Sequence, residues 1–231
     1  MDDEHGRLAA VYQAYDHERS VQRKWSPENP GNQFLGRSRT ATFDRLFASE
    51  GLTLGGTRIL DVGCGTGEFL RDLCERGATP TACHGVDILA DRIQRARERS
   101  VGINFHACDA RTVPFEADSF DLVFANMVFG SVLSADVSDA MAAEIRRALA
   151  PQGAIVWYDH RYPNPWNRNV RAYTRRDLER LFPGFRIHAV SVGPLPPLVR
   201  RLGRMTPWIA PALDAAPVLR VEYLAVIRSP V

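Results

Sequence analysis

Lysine is almost missing from this sequence: Lys24 stands alone among 231 residues, and the other 28 of the 29 Lys and Arg side chains are arginine. With so little lysine and no appended RNA-binding motif, a surface built to track nucleic-acid phosphates is disfavoured. Long apolar runs are missing as well. No window approaches the roughly 18 consecutive apolar residues of a membrane span. The opening stretch MDDEHGRLAA is polar and acidic, unlike a signal peptide, so a cytoplasmic location is expected. Cysteine is scarce. The four at positions 64, 74, 83 and 108 lack the short paired spacing of a zinc site, so free thiols are expected and no metal is assigned. There is no internal repeat. What is present, 45% hydrophobic and 24% charged residues, is the composition of an ordinary soluble globular protein. A chain of this length builds one domain with a substantial core.

The net charge of +2 conceals an asymmetry. Residues 161–231 carry 12 arginines against four acids, a balance of +8, whereas the first 160 residues carry 17 basic against 23 acidic side chains, or −6. A positive C-terminal third suits an anionic small molecule, a nucleic acid or an acidic membrane surface. Arginine used as a solvated surface residue is the competing reading.

The pattern from Arg7 to Trp25 is that of an amphipathic helix, broken by the turn-rich SPENPGN; a second helix is expected over about Phe34–Ala48, with Asn32 as N-cap. From Thr57 the chain alternates. TRILDV, TACHGVDI, INFHACD, FDLVFANMVF and AIVWYDH read as strands, with helices at GEFLRDLCERG, LADRIQRARERS and SDAMAAEIRRALAPQG. Such alternation implies crossovers and a parallel sheet covered by helices on both faces. A short helix, TRRDLERLF, and two strands, FRIHAVSV and VEYLAVIR, complete the chain, with no good helix expected between those two strands. The connecting segment 193–217 is proline-rich, carries Arg200, Arg201 and Arg204, and is longer than most connections, which suggests a lid, a dimer contact or a membrane-touching flap.

The strongest local signal is ILDVGCGTGEF. A strand ends in Gly63, Gly65 and Gly67 and a helix begins within a few residues, so bare backbone and unpaired helix N–H groups face an incoming ligand. The G-x-G-x-G spacing differs from the G-x-G-x-x-G of dinucleotide enzymes, and no second nucleotide-binding half is present. The second strand ends at Asp87, where an acid accepts from both ribose hydroxyls, and the third at Asp109, where it accepts from an adenine amino group. Three successive strand ends of this kind describe an adenosine site.

At these residues the sequence resembles the class I S-adenosylmethionine-dependent methyltransferase family: LDVGCGTG, GVDILADRI, ACDARTVPFEADSFDLVFA and AEIRRALAPQGAIVW are similar to its successive motifs, from about Thr57 to Tyr158. The resemblance implies an α/β Rossmann-like sheet of seven mostly parallel strands, the last one antiparallel, under an N-terminal helical lid. It divides the chain into a lid (1–50), a donor-binding core (57–160) and an acceptor side (161–231). It implies S-adenosylmethionine as cofactor. Asp61 and the loop residues Gly63, Cys64, Gly65 and Gly67 would surround the methionine moiety, Asp87 would hold the ribose and Ile88 the adenine face. Asp109 and Ala110 would meet the adenine edge, and Asn126 and Met127 would lie beside the sulfonium. Core packing competes for Ile88.

Residues 158–171, YDHRYPNPWNRNVR, follow the fifth strand and therefore face the same end of the sheet. His160, and Asp159 as its orienter or substitute, are the candidate bases for removing a proton from a hydroxyl. Alternation along a strand lets only one of the two reach a pocket directly. Arg161, Arg168 and Arg171 suit a carboxylate or phosphate; Asn164 and Trp166 complete the acceptor-side candidates, with Asx turns competing for the asparagines. Tyr15 and Trp25, with Tyr12, fit a closing lid. The NPW triplet does not sit after the fourth strand, so it does not match the amino-directed nucleic-acid enzymes. The expectation is methyl transfer to a hydroxyl, less readily an amine, of a small-molecule or glycan-linked acceptor, with peripheral membrane contact or a homodimer as further expectations. The alternatives are a donor-binding module without catalysis and a nucleic-acid methyltransferase.

Overall fold

The computed structural model describes residues 3–17, 26–164 and 167–229. Seven strands form one sheet in the order β3-β2-β1-β4-β5-β7-β6. They are β1 (Ile59–Val62), β2 (Cys83–Asp87), β3 (Asn104–Ala107), β4 (Phe120–Asn126), β5 (Leu149–His160), β6 (Arg186–Pro194) and β7 (Arg220–Arg228). The first five are mutually parallel, while β7 runs antiparallel to both β5 and β6. All four residues of β1 and most of β4 are buried, as a strand covered on both faces requires.

The helices are α1 (Asp3–His17), α2 (Pro30–Ser49), α3 (Glu68–Glu75), α4 (Ala90–Arg99), α5 (Ala135–Ala148) and α6 (Arg175–Leu181), with α7 (Pro196–Arg201) and α8 (Thr206–Asp214) between β6 and β7. Two cores result. Phe43 and Leu46 of α2, Leu70 and Leu73 of α3, and Ile93 and Ala96 of α4 pack on one face with Phe124 and Val156. Met141 and Ile145 of α5 and Leu178 and Leu181 of α6 pack on the other around Trp157. The Trp157 ring lies 4.3 Å from Phe129 and 5.3 Å from Tyr173, contacts each worth about 0.5–1.5 kcal/mol beyond area burial. Ser134 caps α5 by accepting from Val137 N, and Thr174 and Asp177 close a capping box on α6, each cap worth about 1 kcal/mol.

Two expectations are corrected. Helix α2 begins at Pro30, and Asn29 rather than Asn32 is its cap, accepting from Gly31 N at 2.8 Å; proline at the first helical position supplies the required φ and needs no hydrogen bond there. Asn32 instead accepts from Arg200 Nε at 2.7 Å. The segment before β7, expected to lack a helix, forms α7 and α8, because Pro196, Pro197 and Pro207 fall at helix starts, where proline is tolerated.

His84 on β2 and His106 on β3 stack with centroids 6.0 Å apart, closed in by Phe115 at 5.2 and 5.1 Å. His84 Nδ1 and His106 Nε2 are buried and receive no hydrogen bond. Burial first, then the neighbouring imidazole for His84 and Arg97 for His106, pushes both below the ordinary value of 6.5. The unfolded chain therefore binds more protons than the folded one once the pH drops below about 6.5, so this pair's stabilising contribution is complete above that pH and is lost as it falls. Urea midpoints at pH 7.5 and 5.5 for the wild type and a His84→Gln/His106→Gln variant should show the wild type losing stability relative to the variant on acidification; a constant difference would refute the assignment.

Candidate functional site

β1 delivers the chain into a loop in which Gly63, Gly65 and Gly67 take φ of 74°, 54° and 74°, values that glycine alone adopts without strain. The loop is also crowded. A Cβ on Gly63 would lie 2.5 Å from Val128 Cγ2, and one on Gly67 2.6 Å from Phe105 Cζ. Gly63 N and Cys64 N donate to Val86 O at 2.8 and 3.0 Å. Gly65 N donates to Asp87 Oδ2 at 2.9 Å, and Leu89 N donates to Asp87 Oδ1 at 2.9 Å. Burial raises the Asp87 pKa, and these two N–H groups together with Arg92 oppose the rise.

These strand ends surround a cavity. Seven of the eleven predicted donor residues line it: Gly63, Asp87, Ile88, Asp109, Ala110, Asn126 and Met127. Its roof is α1, which contributes Glu4, His5, Leu8 and Tyr12. Tyr12 Oη lies 2.7 Å from Ser131 Oγ, Arg92 stacks 4.3 Å from the Tyr12 ring centroid, and Glu4 accepts from Leu133 N at 2.7 Å. Arg7 donates to Ser131 O. Tyr15, predicted on the lid, accepts from Asn167 Nδ2 at 3.1 Å and so ties α1 to the loop after β5. Trp25 and Trp166 lie outside the described residues.

The other four predicted donor residues support the cavity from behind. Gly65 gives its N–H to Asp87, and Gly67 precedes α3 as its N-cap. Cys64 turns into the core: a Cβ on Gly85 would lie 2.7 Å from its sulfur. Burial pushes that thiol far up, so it is no nucleophile. Asp61 is 2% exposed, its Oδ1 receives no hydrogen bond, and burial, then Asp87, raises its pKa well above the ordinary range. Asn126 Nδ2 is likewise buried without a partner. One orphaned acceptor and one orphaned donor beside a glycine cradle fit a ligand with an ammonium and a carboxylate near an adenosine. Asp109 carries a tighter partner than expected: Arg111 donates to it through N, Nε and Nη2 at 2.8, 3.0 and 2.7 Å, lowering its pKa against burial.

Arg92, Ser131 and the apolar wall of Val132, Val137 and Met141 escaped the sequence reading. The spacing of Val137 and Met141 on α5 reads as core, and it serves both purposes.

The acceptor-side candidates separate. Asp159 faces the α5 side with Trp157, and His160 lies on the α2 side, paired across the sheet with Glu222. Both oxygens of Asp159 are engaged: Gly130 N donates to Oδ2 at 2.6 Å and His160 N to Oδ1 at 2.8 Å. Desolvation pushes this carboxyl up to about 7. It braces the turn at Phe129–Ser131 and is not placed to be a base. His160 is half-buried, with a pKa lowered by burial, and like Asp159 it is not among the residues that line the cavity. Beside it Tyr158 donates to Glu222, whose pKa burial raises. Arg161 stacks on Tyr162 and Tyr223 and donates to Pro217 O, Arg171 lies over Tyr173, and Arg168 is exposed; none of the three lines the cavity. Asn167 Oδ1 accepts from Asn169 N, an Asx turn, and Asn164 O accepts from Asn167 N at 3.1 Å, also within the turn.

A family model described as a methyltransferase domain matches residues 59–153. A demethylmenaquinone methyltransferase of Deinococcus radiodurans is 30% identical over 77% of this chain and 74% of its own length. The chain belongs to the class I S-adenosylmethionine-dependent methyltransferase family. A malonyl-[acyl-carrier protein] O-methyltransferase of Halorhodospira halophila is 34% identical to this methyltransferase over 43% of the chain, a match that spans 34% of that relative's length. A solved S-adenosylmethionine-dependent methyltransferase from Mesorhizobium loti superposes with a TM-score of 0.60 at 24% identity, covering 81% of this chain and 97% of that one, and shares the fold. The family's methyl donor is S-adenosylmethionine, which the cradle, Asp61 and Asn126 fit.

Replacing Asp87 by Ala removes the anchor of the glycine loop and should weaken S-adenosylhomocysteine binding about tenfold or more, roughly 1.4 kcal/mol, in a calorimetric titration. Gly130→Ala drives a methyl group into the Asp159 carboxylate and should cost about 1–3 kcal/mol of stability, read as a lower melting temperature. A tolerated Gly130→Ala would contradict the Asp159 placement.

Proposed function

We propose that this chain transfers the methyl group of S-adenosylmethionine to a hydroxyl of a small-molecule or glycan-linked acceptor. The observation that carries the reading is the roofed cavity in which Gly63, Asp87 and Asp109 stand at three successive strand ends beneath α1. The donor, when bound, supplies a sulfonium-activated methyl group. Asp87 would accept from the ribose hydroxyls and Asp109 from the adenine amino group, while Val132, Val137 and Met141 would exclude water from the base. α1, latched to Ser131 and Leu133, closes the cavity and opens to admit ligand.

The acceptor approaches from the carboxyl ends of β4 and β5, where Asn126 and Tyr158 are register partners. His160 takes its proton. Its lowered pKa keeps the imidazole neutral at pH 7, the form a base requires, and Asp159, held by its own N–H partners, fixes the backbone that carries it. A second reading, methylation at carbon, is favoured by the likeness to a ubiquinone/menaquinone biosynthesis C-methyltransferase of Desulfotalea psychrophila, 30% identical over 55% of this chain. An ionised phenol or enol shares its charge between oxygen and carbon, so the same proton removal serves both.

The test is transfer of an isotopically labelled methyl group to a panel of phenols, enols, carboxylic acids and glycosides, with the methylated atom located by mass spectrometry and NMR. Label on oxygen supports the proposal, and label on carbon establishes the second reading. Donor binding without transfer to any acceptor would replace both with a binding module. For the acceptor found, His160→Ala should lower kcat about 100-fold or more with donor affinity unchanged. The acid limb of the wild-type pH profile should lie below the 6.5 of an ordinary histidine.

A further inference from the structure

Among the described residues, five of the eight exposed large apolar side chains fall in one segment, the others being Val101, Leu133 and Tyr162. Leu195, Leu198, Met205, Trp208 and Val218 all belong to the connection between β6 and β7 and are 36, 43, 53, 80 and 71% exposed. A loosely attached loop would show its residues at random, but this segment is firmly mounted. Val199, Thr206 and Ala210 are fully covered. Gly31 of α2 packs so closely beneath it that a Cβ there would lie 2.6 Å from Val199 O. Asn29 Nδ2 donates to Arg200 O at 3.3 Å, and Ser38 Oγ donates to Asp214 at 2.8 Å. The segment therefore has a fixed inner side and a fixed outer side, and the outer side is apolar.

Its charge is mostly of one sign, three arginines against a single acid. Arg201 and Arg204 are exposed, and among the described residues they enter no ion pair with a carboxylate. The only acid between 195 and 219 is Asp214, already bonded to Ser38 and Arg220. Arg161 extends the cationic border: its guanidinium donates to Pro217 O, next to Val218, and stacks on the 40% exposed Tyr162. An exposed tryptophan among apolar residues, rimmed by arginines and with its one acid engaged, is the composition of an interfacial anchor on an anionic bilayer.

We propose that the α7–α8 segment is a peripheral membrane-binding surface, in which Trp208, Met205 and Leu198 enter the headgroup boundary of an anionic lipid bilayer and Arg201 and Arg204 meet its phosphates. The segment leaves β6 and enters β7 at the carboxyl ends of the parallel strands, the end that carries the donor cavity. Docking there presents the catalytic end of the sheet to the membrane, so the acceptor class it implies is one dissolved in or tethered to lipid. The surface stands independently of the methyl-transfer reading.

The test is co-sedimentation of the whole purified chain with vesicles of phosphatidylcholine alone and of phosphatidylcholine with about one third phosphatidylserine, in low and high salt. Melting temperature and S-adenosylhomocysteine binding, measured alongside, report folding and the donor site separately. Binding at least tenfold tighter to the anionic vesicles, reduced severalfold by salt and by Arg201→Glu/Arg204→Glu, and lost in Trp208→Ser/Met205→Ser with melting temperature unchanged, is the expected result. A folded wild type that sediments with neither vesicle overturns the proposal. So does a dimer in light scattering that Trp208→Ser/Met205→Ser converts to monomer, which would make the patch an interface between copies.

Discussion

The Asp87 carboxylate holds the site together. One oxygen takes the N–H of Gly65 and the other that of Leu89, so the loop leaving β1 and the turn leaving β2 are fixed by a single side chain. At Gly63 and Gly67 the φ values and the nearby Val128 and Phe105 leave no room for a side chain that could hold the loop. Its geometry is borrowed from the neighbouring strand. Arg92, in the first turn of α4, offsets the desolvation of Asp87 and reaches up to stack on Tyr12 of the roof. Removing the carboxylate would orphan two N–H groups, each costing about 1–3 kcal/mol if left buried and unpaired.

Strand alternation decides the division of labour farther along the sheet. Asp159 and His160 are adjacent, yet the pleat sends the acid into the α5 core and the imidazole toward α2. Asp159 is then useful only as a brace. It joins the end of β5 to Gly130, a residue whose lack of a side chain makes room for it. That same turn presents Val128 and Ser131 to the donor cavity. A carboxyl with a pKa near 7 next to an active site invites a catalytic role, but its two hydrogen bonds and its burial assign it a structural one.

The donor half of the site was legible because it is encoded locally. A glycine loop and acids at strand ends are each read within a few residues, and strand–helix alternation gives a parallel sheet whose carboxyl ends carry Gly63, Asp87 and Asp109, with the family resemblance supplying the rest of the sheet. Features built from distant segments were illegible. Nothing near Glu4 or Tyr12 announces Ser131 and Leu133 as their partners, more than 100 positions away. The arginines after β5 suited an anion on chemistry alone, yet Arg161 and Arg171 are spent on aromatic rings and a backbone carbonyl. Proline misled in the segment before β7, because a proline-rich stretch reads as irregular while prolines at helix starts are compatible with α7 and α8.

The α2 face joins these regions into one edge. Asp61, Asn126, Tyr158 and Glu222 follow one another across β1, β4, β5 and β7 on that face, near the carboxyl ends of the parallel strands. The first two carry polar atoms with no protein partner, and the last two are bonded to each other. Gly193, at φ 72°, makes the space for Glu222: a Cβ there would lie 2.8 Å from its Oε2. The helices that cover this edge, α2 and α7, are the pair locked together at Gly31, and α7 is also the start of the apolar segment that ends at Val218. The polar side chains stand on the strands and the exposed apolar ones on the 195–218 segment, and α2 packs against both, through Phe43 and Leu46 on the sheet and through Gly31 and Ser38 on the segment.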